Sequence, residues 1–231
     1  MAGKIHCLAI TVATEMSFIS ADTILAAYRI GIFPMADNAS DPELFWVDPD
    51  WRGVFPLDGF HVPKRLAKTI RKMPFEVVID RDFRAVMRAC AAPRRDGGDT
   101  WINPTILECY DELHDMGYAH SVECWQEGEL VGGLYGLAFD SIFCGESMFT
   151  RVTDASKIAL VYLMARLIRG GFTLLDAQFL NPHLATFGAE EISRAEYRAR
   201  LKRGLQSQGD FYSLPEGLTG SEILQSITQT S

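Results

Sequence analysis

The stretch HSVECWQEGELVGGLYGLAFDSIFCGESMF, residues 120–149, decides how the fold reads. Residues 120–126, 130–139 and 141–149 are rich in aliphatic, aromatic and β-branched side chains and read as three consecutive strands. Glu127-Gly128 supplies a two-residue turn and Asp140 a second tight one, so the strands are expected to run antiparallel. Gly132, Gly133 and Gly136 mimic a phosphate-binding loop only superficially, because they lie inside a strand pattern and do not open a helix. They point instead to a bulge or a close backbone contact.

Downstream of this meander, residues 154–168 form a long apolar helix, with Asp154 as its cap and Gly170-Gly171 as its stop, and residues 173–179 return as a buried strand. Residues 194–203 read as helical, and the polar tail from Thr219 reads as loose. Upstream lie a helix over 104–116 closed by Gly117, a polar loop over 93–100, a helix over 82–91 and a strand over 75–79. Before them the spacing predicts an amphipathic helix over 63–73, with Leu66, Ile70 and Met73 on one side and Lys64, Lys68, Arg71 and Lys72 on the other. A short helix over 23–30, capped by Asp22 and stopped by Gly31, precedes an aromatic, proline-punctuated stretch from Phe33 to Pro56 that is too small to stand alone. The order is α+β: a small N-terminal domain over residues 1–60, then a larger domain over 61–231 built on a central, mostly antiparallel sheet.

A chain of 231 residues with 48% hydrophobic content can bury a core without disulfides or metal. Its five cysteines (Cys7, Cys90, Cys109, Cys124, Cys144) form no C-x-x-C pair, and its five histidines lack metal-ligand spacing, so reduced thiols and no metal site are expected. No apolar run reaches the roughly 18 residues that span a bilayer, and the first residues lack the apolar region of a signal peptide, which makes the cytoplasm the expected compartment. The net charge of −8 argues against a nucleic-acid partner until its distribution is examined: residues 61–95 hold ten Lys/Arg against three acids. A charge run usually marks only a solvated face, but no acid interrupts the cationic side of the helix over 63–73.

Two polar insertions into apolar sequence are candidates for chemistry. Glu146 lies mid-strand in Phe143-Cys-Gly-Glu-Ser-Met-Phe149, and a buried carboxylate there requires a cationic or hydrogen-bonding partner. Asp176 and Gln178 lie two apart in Leu174-Leu-Asp-Ala-Gln-Phe179, so a regular strand would point both to one face. The plain alternative is that these groups satisfy one another inside the core. Trp101 could stack on a base, though a lone Trp beside a helix start is more often a packing anchor.

The segments Ala27-Tyr-Arg-Ile-Gly-Ile-Phe-Pro34, Thr100-Trp-Ile, Leu130-Val-Gly-Gly-Leu-Tyr-Gly136, Phe143-Cys-Gly-Glu-Ser-Met-Phe149, Asp154-Ala-Ser-Lys157 and Asp176-Ala-Gln178, in this order, strongly resemble the leucyl/phenylalanyl-tRNA-protein transferase family over roughly residues 22–203. The resemblance implies a small N-terminal domain followed by an acetyltransferase-like (GNAT-like) domain. It implies transfer of leucine or phenylalanine, with methionine left open, from aminoacyl-tRNA to the N-terminal Arg or Lys of acceptor proteins, which marks them for N-end rule degradation. By the same resemblance Trp101 contacts the terminal adenosine, and an apolar pocket of Leu134, Met148, Leu163, Leu167 and Leu175 receives the amino-acid side chain. Glu146 grips the acceptor's basic residue, and Asp176 orients Gln178, whose carbonyl oxygen draws a proton from the attacking amine. Lys64, Lys68, Arg71 and Lys72 fall where the family carries cations for the tRNA acceptor stem. No ATP, CoA, metal or other cofactor is implied, no membrane association, and a monomer is expected. Well-known members carry a tryptophan after Gly-Ile-Phe-Pro where this chain has Met35, which fills similar volume but cannot stack as an indole does.

Two rivals share some of these features. An acyl-CoA N-acyltransferase would need a glycine-rich turn at a helix start to hold a pyrophosphate, and residues 152–156 contain no glycine. A catalytically silent binding module for tRNA or protein N-termini is disfavoured by the joint presence of Glu146, Asp176 and Gln178.

Overall fold

The computed structural model describes residues 19–93 and 99–228; Cys7, His6, Arg94, Arg95 and the glycines of the polar loop lie outside the described residues. Helix α1 (Ala21–Arg29) starts two residues earlier than the sequence suggests, because Ser20 and not Asp22 caps it, its side chain accepting the Thr23 N–H at 3.2 Å. Gly31, at φ +92°, ends it. The aromatic stretch that follows contains a two-stranded antiparallel ribbon, β1 (Phe33–Met35) with β2 (Phe45–Val47), then β3 (Trp51–Phe55), which leaves the ribbon and joins the large sheet. Such short strands carry too few residues for an alternating pattern to be read.

Helix α2 (Lys64–Arg71) buries Leu66 and Ile70 and exposes its cations, as its amphipathic spacing requires. Met73 departs from the expected apolar side: at φ 47° it lies beyond the helix end and is 44% exposed. Strand β4 (Glu76–Ile79) precedes α3 (Phe83–Ala91), capped by the Asp82 carboxylate, and α4 (Pro104–Asp115), capped by Asn103. The meander forms as read: β5 (Ala119–Gln126), β6 (Glu129–Phe139) and β7 (Ile142–Thr150), with Glu127 and Gly128 at φ 53° and 82° in the first turn.

Helix α5 (Ala155–Arg169) follows. Asp154 precedes it but does not cap it through its side chain: its φ is 69°, and its carboxylate instead pairs with Lys157 at 3.0 Å. A Cβ on Gly132 would stand 2.4 Å from that of Ala155, so the glycine allows α5 to begin directly on β6, the close approach expected from the sequence. The chain then forms β8 (Leu174–Gln178), α6 (Pro182–Ala185), β9 (Glu190–Ser193), α7 (Arg194–Gly204) and α8 (Gly220–Thr228). Helix α8 corrects the expectation of a loose tail. Ile223 and Ile227 bury against α2 and α5, and Thr219 and Glu222 cap the helix reciprocally: Glu222 Oε2 accepts the Thr219 N–H at 2.7 Å and Thr219 Oγ1 accepts the Glu222 N–H at 3.3 Å.

Among the described residues seven strands form one sheet in the order β4-β5-β6-β7-β8-β3-β9, antiparallel except for β7 and β8, which are parallel because α5 crosses between them. One face packs on α1, α3, α4 and α7 and the other on α2, α5 and α8, giving two apolar layers. The parallel register runs through Ile142–Leu174 and Phe143–Leu175 and ends at Cys144–Asp176. Past that point the two strands no longer pair with each other, and the wedge between them positions the site.

Candidate active site

Glu146 stands at this wedge because of a bulge. Tyr135 pairs with Ser147 and Gly136 with Gly145, so Glu146 is the extra residue of β7. Its Oε1 accepts the Tyr28 hydroxyl at 2.7 Å, and the Tyr28 and Tyr110 hydroxyls are themselves 2.7 Å apart. Tyr28 comes from α1 and Tyr110 from α4, so helices of both the N-terminal segment and the larger unit meet at this carboxylate. No cation forms an ion pair with it among the described residues. Burial pushes the Glu146 carboxyl up to about 8, the negative charge of Asp176 adding to the rise while the tyrosine hydrogen bonds and Arg52 oppose it. Burial, reinforced by Glu146, also raises the Tyr28 and Tyr110 phenols well above their ordinary value, so both remain proton donors at neutral pH.

Asp176, fully buried on β8, is held by Arg52: Nε donates to Oδ1 at 2.9 Å and Nη2 to Oδ2 at 2.6 Å. Tyr197 donates its hydroxyl to Oδ2 at 2.9 Å. Burial alone would lower the Arg52 pKa, but Asp176 more than offsets it, and the guanidinium stays charged. Asp176 meets Gln178 through the main chain, its Oδ1 accepting the Gln178 backbone N–H at 2.9 Å. Gln178 departs from strand geometry at φ 55°, and its carboxamide Nε2 lies 3.5 Å from Glu146 Oε1. The two residues therefore converge as expected, by a local turn and not by strand alternation.

These groups open onto a cavity of about 310 Å³. Trp101, Met35, Leu134, Met148, Leu163 and Leu175 all reach its wall, with Glu146, Asp176 and Gln178. Leu167 does not: one turn beyond Leu163 on α5, it is fully buried in the core. Phe33, Phe55, Leu160, Phe179 and Leu184 complete much of the apolar lining and were not foreseen, since their alternation is indistinguishable from that of core residues. Arg52 was missed as well. Its signal was present, a lone cation in Trp51-Arg-Gly-Val-Phe55 opposite a buried carboxylate that needed one.

Lys64, Lys68, Arg71 and Lys72 are exposed, and among the described residues none enters an ion pair. The cysteines among the described residues are free, and burial pushes the Cys124 thiol up to about 12 and the Cys109 thiol up to about 11, so both stay protonated. No helix of the described residues is long and apolar enough to cross a membrane.

A model of leucyl/phenylalanyl-tRNA protein transferases matches residues 54–202, and a model of the N-terminal domain of the same proteins matches residues 19–50. The chain belongs to the leucyl/phenylalanyl-tRNA protein transferase family. A leucyl/phenylalanyl-tRNA–protein transferase of Rhodopseudomonas palustris (strain TIE-1) is 53% identical over 94% of this chain and 98% of its own length. Relatives of the same name from Caulobacter vibrioides (strain NA1000 / CB15N) and Phenylobacterium zucineum (strain HLK1) are 55% and 54% identical, over 91% and 94% of this chain and 97% and 100% of theirs. The solved structure of L-PGS from Bacillus licheniformis is similar at 14% identity and a TM-score of 0.36, over 66% of this chain and 59% of that one, which is too distant to bear on the fold. Strand β3 straddles the start of the larger match, only Val54 and Phe55 falling inside it, and it pairs with β8 and β9 of the matched region.

Proposed function

We propose that this enzyme transfers leucine or phenylalanine from aminoacyl-tRNA to the N-terminal Arg or Lys of acceptor proteins. The observation that carries the reading is the convergence of Glu146 and Gln178 on one apolar cavity at the β7–β8 wedge. The apolar lining suits an aliphatic or aromatic side chain and offers a polar one no partner. Trp101, on the cavity wall, is placed to stack on the terminal adenine. Among the described residues Glu146 forms no ion pair, and it can take the acceptor's guanidinium or ammonium. Gln178 Oε1 then accepts a hydrogen bond from the acceptor's α-amine as its nitrogen attacks the ester carbonyl. The C–N bond forms, the bond to the ribose oxygen breaks, and the amine's proton ends on that oxygen. A carboxamide is a poor base, so alignment is its larger contribution. The parallel β7–β8 pair that diverges over a cavity also supports an acetyltransferase-like arrangement of the larger domain; because β3 pairs with β8 and β9, this reading moves the boundary from the expected residues 60/61 to a point before Trp51.

The test is transfer of radiolabelled leucine or phenylalanine from purified charged tRNA to peptides beginning with Arg, Lys, Asp or Ala. Label on the Arg and Lys peptides alone supports donor and acceptor together; tRNA binding without transfer to any peptide would leave a binding module.

Glu146 makes acceptor capture pH-dependent. Burial pushes its carboxyl from an ordinary 4.5 up to about 8, so the neutral form prevails at lower pH, while a cation is gripped only by the carboxylate. Affinity for a basic side chain should therefore rise with pH and level off above about 8, weakening by up to about tenfold per unit below it. Binding of propylguanidinium, which has no α-amine to titrate, measures this directly, and Glu146→Gln should flatten the profile.

On α2 the unpaired cations fit phosphates of the acceptor stem. Replacing Lys64, Lys68, Arg71 and Lys72 together by alanine should weaken tRNA binding at low salt and reduce the slope of log K against log salt by up to about 3. An unchanged slope would remove α2 from the tRNA interface.

A further inference from the structure

Asp176 is fully committed before a substrate arrives: Arg52 supplies two of the hydrogen bonds it accepts, and Tyr197, Cys144 and the Gln178 N–H supply others. The Arg52 side chain is 1% exposed, and its guanidinium lies between the rings of Phe33 and Tyr197, 4.4 Å from each centroid. Its Nη1 donates to the Gly31 carbonyl at 3.3 Å, while Nε and Nη2 fork onto Asp176. Phe33 lines the cavity and meets Phe179, the neighbour of Gln178, edge to face at 5.7 Å. Gln178 itself sits in the left-handed region, which costs a non-glycine residue energy, and two bonds brace it there: the Asp176 Oδ1 bond to its N–H and the Phe179 N–H bond to the Ala177 carbonyl at 2.6 Å.

We propose that Arg52 is a positioning residue of the transfer step: by fixing the Asp176 carboxylate it fixes the backbone of Gln178, and through Phe33 and Gly31 it ties that backbone to the cavity wall supplied by the N-terminal segment. The inference rests on the proposed transferase reading. Without the guanidinium, Asp176 would be a buried carboxylate lacking its counter-charge and would turn away, releasing the Gln178 N–H. A lysine keeps the charge but cannot make the planar fork or sit between two rings.

The test is a double-mutant cycle of Arg52→Lys and Asp176→Asn, with kcat and acceptor KM measured in the transfer assay, thermal midpoints to check folding and tRNA binding as a control. Each single change should lower kcat by about 10²-fold, the cost of a misplacement near 1 Å, with acceptor KM within about threefold and tRNA binding unchanged. The double variant should be no slower than the slower single, because both remove the same constraint. Losses that multiply in the double variant, or a wild-type kcat in Arg52→Lys, overturn the proposal. If Arg52→Lys does not fold, Tyr197→Phe replaces it in the cycle. That variant removes one hydroxyl from Oδ2 and keeps the ring over Arg52, and it should slow the wild type but not Asp176→Asn; no slowing of the wild type overturns the proposal. Absence of transfer by the wild-type enzyme itself would instead sink the transferase reading.

Discussion

Gln178→Ala is expected to lower kcat by about 10²-fold while leaving charged-tRNA binding intact and acceptor KM within a few fold. In the proposed mechanism the residue enters the chemistry through one carbonyl oxygen, so its removal should cost alignment of the amine and not binding energy. The geometry sharpens this expectation. The carboxamide nitrogen faces Glu146 at 3.5 Å, which leaves the oxygen as the group free to meet an incoming amine. Because Asp176 bonds the backbone N–H of Gln178, alanine at 178 keeps that bond and the fold around it. Single-turnover transfer from preloaded enzyme is the measurement. A kcat within threefold of wild type would mean that the ester and the cavity alone align the reactants.

Glu146→Gln should act on the other parameter. Truncating one member of a charge pair formed in a dry site costs roughly 2 to 5 kcal/mol, so acceptor KM for Arg- and Lys-peptides should rise by at least about 30-fold. The variant keeps an oxygen for the Tyr28 hydroxyl, which today donates at 2.7 Å, so the site should remain formed. Peptides beginning with neutral residues gain nothing from the carboxylate, and the preference for basic N-termini should flatten accordingly. Retained discrimination between Arg and Ala peptides would show that another group reads the acceptor.

Much of the catalytic unit could be read in advance, for identifiable reasons. Residues 120–149 announced the meander because long strands with a Glu-Gly turn leave a clear pattern. Glu146, Asp176 and Gln178 stood out because polar residues in apolar strands are costly and need a reason. What escaped was whatever depends on burial that only the assembled fold supplies. Short strands such as Phe33–Met35 have no period to detect. Leu167 and Leu163 are equivalent on a helical wheel, and only the position of the cavity separates them. Helix α8 is an exception, because its signal is local: Thr219-Gly-Ser-Glu222 is a capping box preceding Ile223 and Ile227. Arg52 required matching a cation and a carboxylate 124 residues apart, which no local reading can do.

That separation has a kinetic meaning. Arg52 and Asp176 stand 124 residues apart, Tyr28 and Glu146 118, and the parallel β7–β8 pair exists only once the α5 crossover has closed. Contacts of such range form after the loop entropy between them has been spent, and parallel pairing is slow for the same reason. During synthesis, the Glu146 end of the site cannot be completed until β7 has folded back on α1 and α4, and the Asp176 end not until Tyr197 has emerged. The antiparallel meander, by contrast, can form early from neighbouring segments. Catalytic competence is thus a late event on the folding path, acquired nearly all at once.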